Sequence, residues 1–520
     1  MRHHWEISRR DFLKLLGATG LLFPASYLLR FTTAQSQMEN NPAKPNFIIL
    51  AFDALSARHM SLYGYKRKTT PNIEKFAKTS TVFRQHHAAC NYTKSSVASC
   101  LTGVLPWSHR ALGYYSSLLK FYGNANIFGE ITPDFYTRTY TENILVLTIL
   151  NQLAAYIRQN KHMDDLAIYN GGKLTGIFKN DSSVGFYATE QLSQNFSGTS
   201  DSLFINPILD IAQSLTSSAI LQANAKSYPF GLVNNQHGNL FKLETVIDWI
   251  ARSLPSTPQP YLSYFHLFPP HEPYSPRADF AGMFSGDGVQ LIEKSTSFFS
   301  QGYTQEQLHY QCELYDEYIA FVDSEFGRLY GMLQENGALD NTYLILTSDH
   351  GQLFERGIHG HGTTLYESVI HIPLIIHAPG QNQREDIYSP TSNTDIVPTI
   401  LQLTNQDLPN WLEGMPLPNY GGTEDAQRII FSMEGKENQK MKPLTKATFS
   451  AIQWPYKLIN YRGYPGYDNV DELFDLDNDP EELNNLAASR PSLVTNLKHK
   501  LQRNQTVAEQ KAIRVSIKAE

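Results

Sequence analysis

Cysteine is scarce in this chain of 520 residues: Cys90, Cys100 and Cys312 are all there is, and no two stand in Cys-x-x-Cys spacing. Three cannot all pair within the chain, so at most one internal disulfide fits, and neither a thiolate zinc site nor a dithiol redox pair is supported. Basic charge is short as well. Lys and Arg number 43 against 50 Asp and Glu, a formal net charge of -7, and no basic stripe runs along the chain. The electrostatic footprint of a nucleic-acid binder or of a protein held on an anionic membrane is therefore missing, and a small anion would have to be held by local charges or a metal. There is no internal repeat and no Gly-x-Ser-x-Gly elbow of a Ser-His-Asp hydrolase. Nor is there a stable membrane span at the N-terminus. The apolar run from Leu15 to Leu29 is shorter than the roughly 20 residues a spanning helix needs, and Pro24 and Arg30 interrupt or bound it. What is present is apolar material enough for one large α/β domain or two ordinary ones.

The first residues read as an address. Ser8-Arg9-Arg10-Asp11-Phe12-Leu13-Lys14, the apolar run and then Thr32, Thr33 and Ala34 resemble a twin-arginine export signal, here bounded at residues 1–37. The resemblance implies export of the already folded protein by the twin-arginine machinery to the periplasm or the outside. After a polar linker, Asn46 to Phe52 is a continuous apolar run ending at Asp53, the pattern of a strand buried on both faces. Tyr261 to Phe268, Tyr343 to Thr347 and Ile372 to Ile376 repeat it. A short helix is predicted from Pro71 to Thr79. A long one starts at Thr304, which forms a capping box with Gln307, and ends at Asn336-Gly337. Strands alternating with helices predict an α/β fold, a mostly parallel central sheet with helices on both faces, in a catalytic domain over residues 38–427. Residues 105–258, rich in Asn, Ser, Gln and Gly with no clean period, read as an insertion with some helix. From about Arg428 to the end at 520, short strands at Ile429 to Met433, Thr448 to Gln453 and Tyr456 to Tyr461 predict a small antiparallel sheet, followed by a terminal helix over Pro491 to Arg503.

Functional residues are expected where parallel strands end. Asp53 and Asp349 are far apart in sequence, yet both directly follow a predicted strand, so one sheet edge would bring them together to share a cation. His350 adds an imidazole, and the set suits a divalent ion. Taken alone, Ser348-Asp349-His350-Gly351 fits a helix-capping Asp and a turn Gly equally well. Thr93, in Asn91-Tyr92-Thr93-Lys94-Ser95-Ser96, would start a helix. A hydroxyl beside both a metal and a helix's positive end is a plausible nucleophile.

Together these segments resemble the sulfatase branch of the alkaline phosphatase superfamily. The pieces come in the family's order: Pro45 to Asp53, Leu62-Tyr63-Gly64-Tyr65, Ser99-Cys100-Leu101-Thr102-Gly103, Phe268-Pro269-Pro270-His271-Glu272-Pro273-Tyr274, Thr347 to Gly351, Leu365-Tyr366-Glu367, and Asp395-Ile396-Val397-Pro398-Thr399, with Glu472 to Glu481 like the family's closing segment. The resemblance implies one divalent metal, Mn, Zn, Ca or Mg, held by Asp53, Asp349, His350 and Thr93, with Thr93 also the nucleophile. It implies His271 at the substrate's anionic group or leaving oxygen, and His361 where many sulfatases carry a lysine. Lys94 is a further candidate for substrate charge. Beyond His350, the imidazoles of His266, His271, His359 and His361 stand without the Asp-x-x-x-His that a two-metal site would need, so one metal is expected.

The departures carry as much information. Sulfatases make formylglycine from Cys or Ser in Cys/Ser-x-Pro-x-Arg, and here those positions hold Thr93, Ser95 and Val97. Threonine cannot become formylglycine, because its β-carbon already bears a methyl group, and Cys90 sits three positions too early. The adjacent acid pair is broken as Asp53-Ala54, and no Gly-Lys-Trp-His segment occurs. A threonine nucleophile resembles the superfamily's phosphodiesterases, phosphonate hydrolases and lipid-head-group transferases. The expected activity is thus on a phosphate-type ester of a small molecule, glycan or lipid head group, through a covalent phosphothreonine. The alternatives are a sulfuric ester hydrolase and a decayed, non-catalytic binding protein.

Overall fold

The computed structural model describes residues 44–114, 116–170, 217–234, 239–440 and 442–519, all within the unit Asn41–Glu520; the expected export signal lies outside them. The chain's most apolar strand organises the rest. β1 (Asn46–Phe52) is buried along its whole length, and its side chains alternate between two cores. Ile48, Leu50 and Phe52 join one apolar cluster, and Phe47, Ile49 and Ala51 join the other. A strand with two buried faces has no solvent side, which is why its sequence is continuous rather than alternating. Each large side chain so buried contributes about 1.5–3 kcal/mol.

The other strands are β2 (Thr81–Phe83), β3 (Tyr136–Thr141), β4 (Gln159–Lys161), β5 (Tyr261–Leu267), β6 (Thr342–Ser348), β7 (Leu374–His377) and β8 (Glu385–Ile387). They form one eight-stranded sheet in the order β8-β2-β7-β6-β1-β5-β3-β4. Every pair is parallel except the two made by β7, which runs antiparallel to both β6 and β2. The expected mostly parallel sheet is therefore present, with one reversed strand. β7 begins at Leu374 rather than Ile372, since Pro373 has no amide to give to a ladder.

The helices cover both faces. α1 (Pro71–Ala77), α2 (Thr93–Thr102), α3 (Ile144–Gln152), α4 (Leu243–Ser253), α5 (Gln305–Glu335) and α6 (Ile396–Leu403) all bury apolar residues. Those of α1, α4 and α5 enter the β1 Ile48 cluster, and those of α2, α3 and α6 enter the Ile49 cluster. α5 starts with the expected capping box at Thr304 and Gln307. Among the described residues no helix is long and apolar enough to cross a membrane.

The segment 105–258, read from sequence as an insertion, contributes β3 and β4 to the main sheet. β3, Tyr-Thr-Arg-Thr-Tyr-Thr, is made of strand-favouring Thr and Tyr but carries no apolar run to mark it as core. Its neighbours take up much of the polarity of its buried side chains. Arg138, 2% exposed, gives Nη2 to Ser253 Oγ at 2.7 Å and stacks on Trp249 and Phe265. Local propensity makes the strand, and tertiary partners make its polar side chains tolerable inside.

Towards the C-terminus, β9 (Ile429–Glu434), β10 (Ala447–Gln453), β11 (Tyr456–Arg462) and β12 (Val470–Asp475) form the antiparallel sheet, each pairing with the next. The last helix, α7 (Pro491–Ala519), continues past the expected end at Arg503. No Gly or Pro follows to stop it.

Candidate active site

Three strands end level with one another. In the β1 ladders Phe52 stands opposite both Ser348 and Leu267, so the next residues, Asp53, Asp349 and Phe268, leave the sheet at one height. Two turns are then tied together. Asp53 is followed by Ala54 in the left-handed region at φ 59°, a conformation that costs a non-glycine residue about 1–2 kcal/mol. Hydrogen bonds hold it: Ala54 N donates to Asp349 Oδ1 at 3.0 Å, and the buried Tyr315 hydroxyl of α5 donates to Ala54 O at 2.6 Å. In the second turn Ser348 Oγ accepts from Leu55 N and donates to His350 O, and His350 N donates to Asp349 Oδ1. Gly351 is there because a Cβ would stand 2.3 Å from the Ser368 carbonyl oxygen.

Half of each carboxylate is thereby used, and half is not. Asp53 Oδ2 accepts from Asn143 Nδ2 at 2.6 Å, while Asp53 Oδ1 and Asp349 Oδ2 are buried without a hydrogen-bond partner. His350 Nε2 lies 3.7 Å from the first and 3.6 Å from the second. Asp53, Asp349 and His350 each offer a ligand atom within 4.8 Å of the others. Two orphaned carboxylate oxygens in a buried pocket are costly unless a cation joins them. Donors about 2.1 Å from a tetrahedral ion sit roughly 3.4 Å apart, close to these separations. The residues fit a divalent metal.

Electrostatics agree. Burial first, and the neighbouring Asp349 carboxylate second, push the Asp53 carboxyl well above its ordinary range. Burial opposes ionisation of Asp349 too, but His350, His266 and the Ala54 amide outweigh it and hold the group below the usual carboxylate range. Burial lowers His350 to about 4, so its imidazole is neutral near pH 7. His350 Nδ1 lies 2.9 Å from Gly351 O and donates to it, leaving the Nε2 lone pair to face the carboxylates.

Thr93 is the first residue of α2, preceded by Tyr92, whose side chain makes no cap bond to the helix. Thr93 Oγ1 is 3.1 Å from His350 Nε2, close to the helix's positive end. All four expected metal-site residues thus meet. His361 and His271 join them, with ring centroids 4.5 and 6.3 Å from His350 and 5.8 Å from each other. Burial above all, with the Lys436 ammonium nearby, pushes His361 well below its ordinary range, and its Nδ1 has no hydrogen-bond partner. Lys94 is buried on α2, and its ammonium donates to the Tyr114 carbonyl at 2.8 Å.

Four contributors escaped the sequence reading in whole or part. Asn143 follows polar β3, where no period marks it. Asn91 Nδ2 donates to the carbonyls of His361, Gly362 and Thr364 at 2.8–3.0 Å, clamping that loop beside Thr93. His266, weighed only for a second metal, is fully buried with no hydrogen bond to either ring nitrogen, and its Nε2 faces Asp349 Oδ2 at 3.5 Å. An imidazole inside an apolar strand was the available signal. Lys436 comes from the C-terminal sheet. A second metal-like grouping, His59, Cys312 and Asp316, is internally satisfied: Asp316 takes His59 Nδ1, Tyr65 OH and Arg67 Nη1 at 2.6–2.8 Å.

Residues 45–406 match the family model described as Sulfatase, and residues 357–507 match N-sulphoglucosamine sulphohydrolase, C-terminal. Among curated proteins, arylsulfatase K of Xenopus laevis is 27% identical over 220 residues, 41% of this chain and 40% of that protein. Matches to arylsulfatase K from other animals span about half of those proteins. An arylsulfatase of Clostridium perfringens is 22% identical over 473 residues, 86% of this chain and 91% of that protein. Among solved structures, the phosphonate monoester hydrolase of Agrobacterium radiobacter superposes with a TM-score of 0.67 at 17% identity, covering 89% of this chain and 96% of that one. At that identity the likeness is one of fold.

Proposed function

The chain belongs to the sulfatase family of hydrolases, and from that premise we propose that it cleaves or transfers phosphate-type esters through a covalent intermediate on Thr93. The substrate class is a phosphodiester, phosphonate or phosphomonoester. The reading rests on one observation above all: the hydroxyl of a threonine, which cannot be oxidised to formylglycine, lies 3.1 Å from His350 Nε2 and beside two half-unpartnered carboxylates. Thr93 Oγ1 forms the bond to phosphorus as the ester oxygen departs on the opposite side. Asp53, Asp349, His350 and Thr93 are assigned to one divalent cation, which when bound supplies positive charge against the oxygens of the reacting centre. His271 and His361 are assigned to the proton that the Thr93 hydroxyl gives up and the departing oxygen takes, and Lys94 to substrate charge. Water or an acceptor alcohol then attacks the phosphothreonine, making the enzyme a hydrolase or a transferase respectively. Export by the twin-arginine machinery to the periplasm completes the reading, and Arg9→Lys with Arg10→Lys should leave the precursor in the cytoplasm.

A second reading, sulfuric ester hydrolysis, is favoured by the arylsulfatase names of the curated relatives. Against it stands the chemistry. A formylglycine hydrate expels sulfate by elimination through its second hydroxyl, whereas a threonine sulfate needs direct displacement. A decayed binding protein is disfavoured because Asp53, Thr93, Asp349 and His350 still converge. The deciding experiment is a panel of aryl phosphate, phosphodiester, phosphonate and sulfate, with wild type, Thr93→Ala and metal-stripped protein. Phosphoester cleavage that needs both Thr93 and metal supports the proposal. Cleavage surviving Thr93→Ala removes the nucleophile, and cleavage of sulfate alone transfers the case to the second reading.

A further inference from the structure

The C-terminal sheet reaches the site through one side chain. Lys436, two residues past β9, has its backbone fixed: its amide donates to Glu434 Oε1 at 2.9 Å, and its carbonyl lies so close to Gly113 that a Cβ there would stand 2.5 Å from it. From this anchor the half-buried side chain puts Nζ 4.8 Å from the centre of the Tyr92 ring and 3.4 Å from the Gly362 carbonyl. Tyr92 immediately precedes Thr93, and its ring stacks on His361 at 6.3 Å. His361 in turn is 4.5 Å from His350. The ammonium therefore stands over the two loops that carry the nucleophile and His361.

Its partners are the unusual part. Among the described residues no carboxylate oxygen comes within ion-pair distance of Lys436, whereas the buried Lys457 and the half-buried Lys294 each pair with two carboxylates. Glu434 spends one oxygen on the Lys436 amide and the other on the Tyr464 hydroxyl. A ring face and one long carbonyl contact hold the charge in position without neutralising it. Glu434 feels the Lys436 charge but makes no ion pair with it, which leaves the ammonium open to an anionic oxygen from outside. The position at which the sulfatase resemblance implies a lysine is occupied by His361, so the loop itself brings no permanent charge.

We propose that Lys436 is a substrate-binding residue, its ammonium holding a negatively charged oxygen of the phosphoryl or sulfuryl centre that faces Thr93. The C-terminal sheet then supplies part of the site, not only support for it. This rests on the Thr93 centre being where substrate binds.

The test uses metal-loaded full-length protein, with inorganic phosphate binding followed by calorimetry and steady-state cleavage of a diaryl phosphate. Loss of a charge-assisted contact in Lys436→Met should weaken phosphate binding and raise KM by about 10- to 100-fold. kcat and Tm should change little, and Lys436→Arg should restore part of the affinity. If Lys436→Met does not fold, Lys436→Gln takes its place. Phosphate affinity and KM within about twofold of wild type, or a fall in kcat alone, would overturn the assignment. The two proposals fail separately: activity surviving Thr93→Ala removes the covalent mechanism, while the phosphate-binding comparison still reads Lys436 directly.

Discussion

Two buried charge clusters in this molecule are built to opposite ends. In one, Glu367 and Glu482 surround Lys457, with His87 alongside. Glu367 Oε1 and Oε2 face Lys457 and His87 at 2.9 and 3.2 Å, and Glu482 Oε1 and Oε2 face Lys457 and the Glu367 amide at 2.8 Å each. Every carboxylate oxygen has a nitrogen within 3.2 Å. In the other, Asp53 and Asp349 keep one oxygen each for the backbone or Asn143, and the remaining two oxygens meet only the imidazoles of His350 and His266, at 3.5–3.7 Å. Both clusters are buried, so desolvation does not distinguish them. Closure does. The closed cluster joins the catalytic sheet's surroundings to the C-terminal sheet, and the open one is short of positive charge that a ligand can supply.

The comparison can be broken from either side. The largest effect should come from Thr93→Ala, which is expected to lower turnover of a phosphate ester by about a thousandfold or more with little change in unfolding free energy, measured side by side by kinetics and denaturant titration. Lys457→Met should do the reverse. It strands two buried carboxylates and is expected to cost about 3–5 kcal/mol of stability, while the metal affinity of the folded fraction stays near wild type. Asp53→Asn sharpens the contrast: removing an uncompensated charge should leave metal-stripped protein as stable or more stable by about 1–2 kcal/mol. It should also abolish the rise in Tm on adding zinc or manganese. A clear loss of stability in stripped Asp53→Asn would make the two clusters alike.

A pH-dependent effect concerns Glu142, which follows β3, is buried and accepts from Phe268 N at 2.9 Å. Burial raises its carboxyl from 4.5 to about 8. Because the folded state prefers the protonated form, this stabilisation is full below pH 4.5 and fades as pH rises through about 8. Glu142→Gln should flatten the fall in Tm over that window, and an unchanged profile would show that Glu142 ionises normally.

The residues most legible from sequence were those at strand ends. Asp53 follows a fully apolar run and Asp349 a mostly apolar one, and short runs of this kind suit strands buried on both faces of a parallel sheet. Thr93 was legible from its spacing to Thr102-Gly103, and the long α5 from its capping box. Asn143 and Lys436 were not. One follows a polar strand whose burial rests on Ser253, Trp249 and Phe265 far along the chain, and the other hangs from a loop of the small C-terminal sheet. The segment 105–258 looked featureless for the same reason, since β3 owes its burial to neighbours and not to its own pattern.

By itself the sequence determined the sheet-with-helices architecture, the order of the site's pieces, and a threonine where formylglycine chemistry needs cysteine or serine. These follow from local hydrophobic period and residue chemistry, which need no partner to be read. Tertiary structure alone decided which carboxylate oxygens stay open, that Asn143 and Asn91 brace the site, and that a C-terminal lysine reaches it. Those are distances between residues remote in sequence, set by strand register and by where loops cross, and no local pattern encodes them.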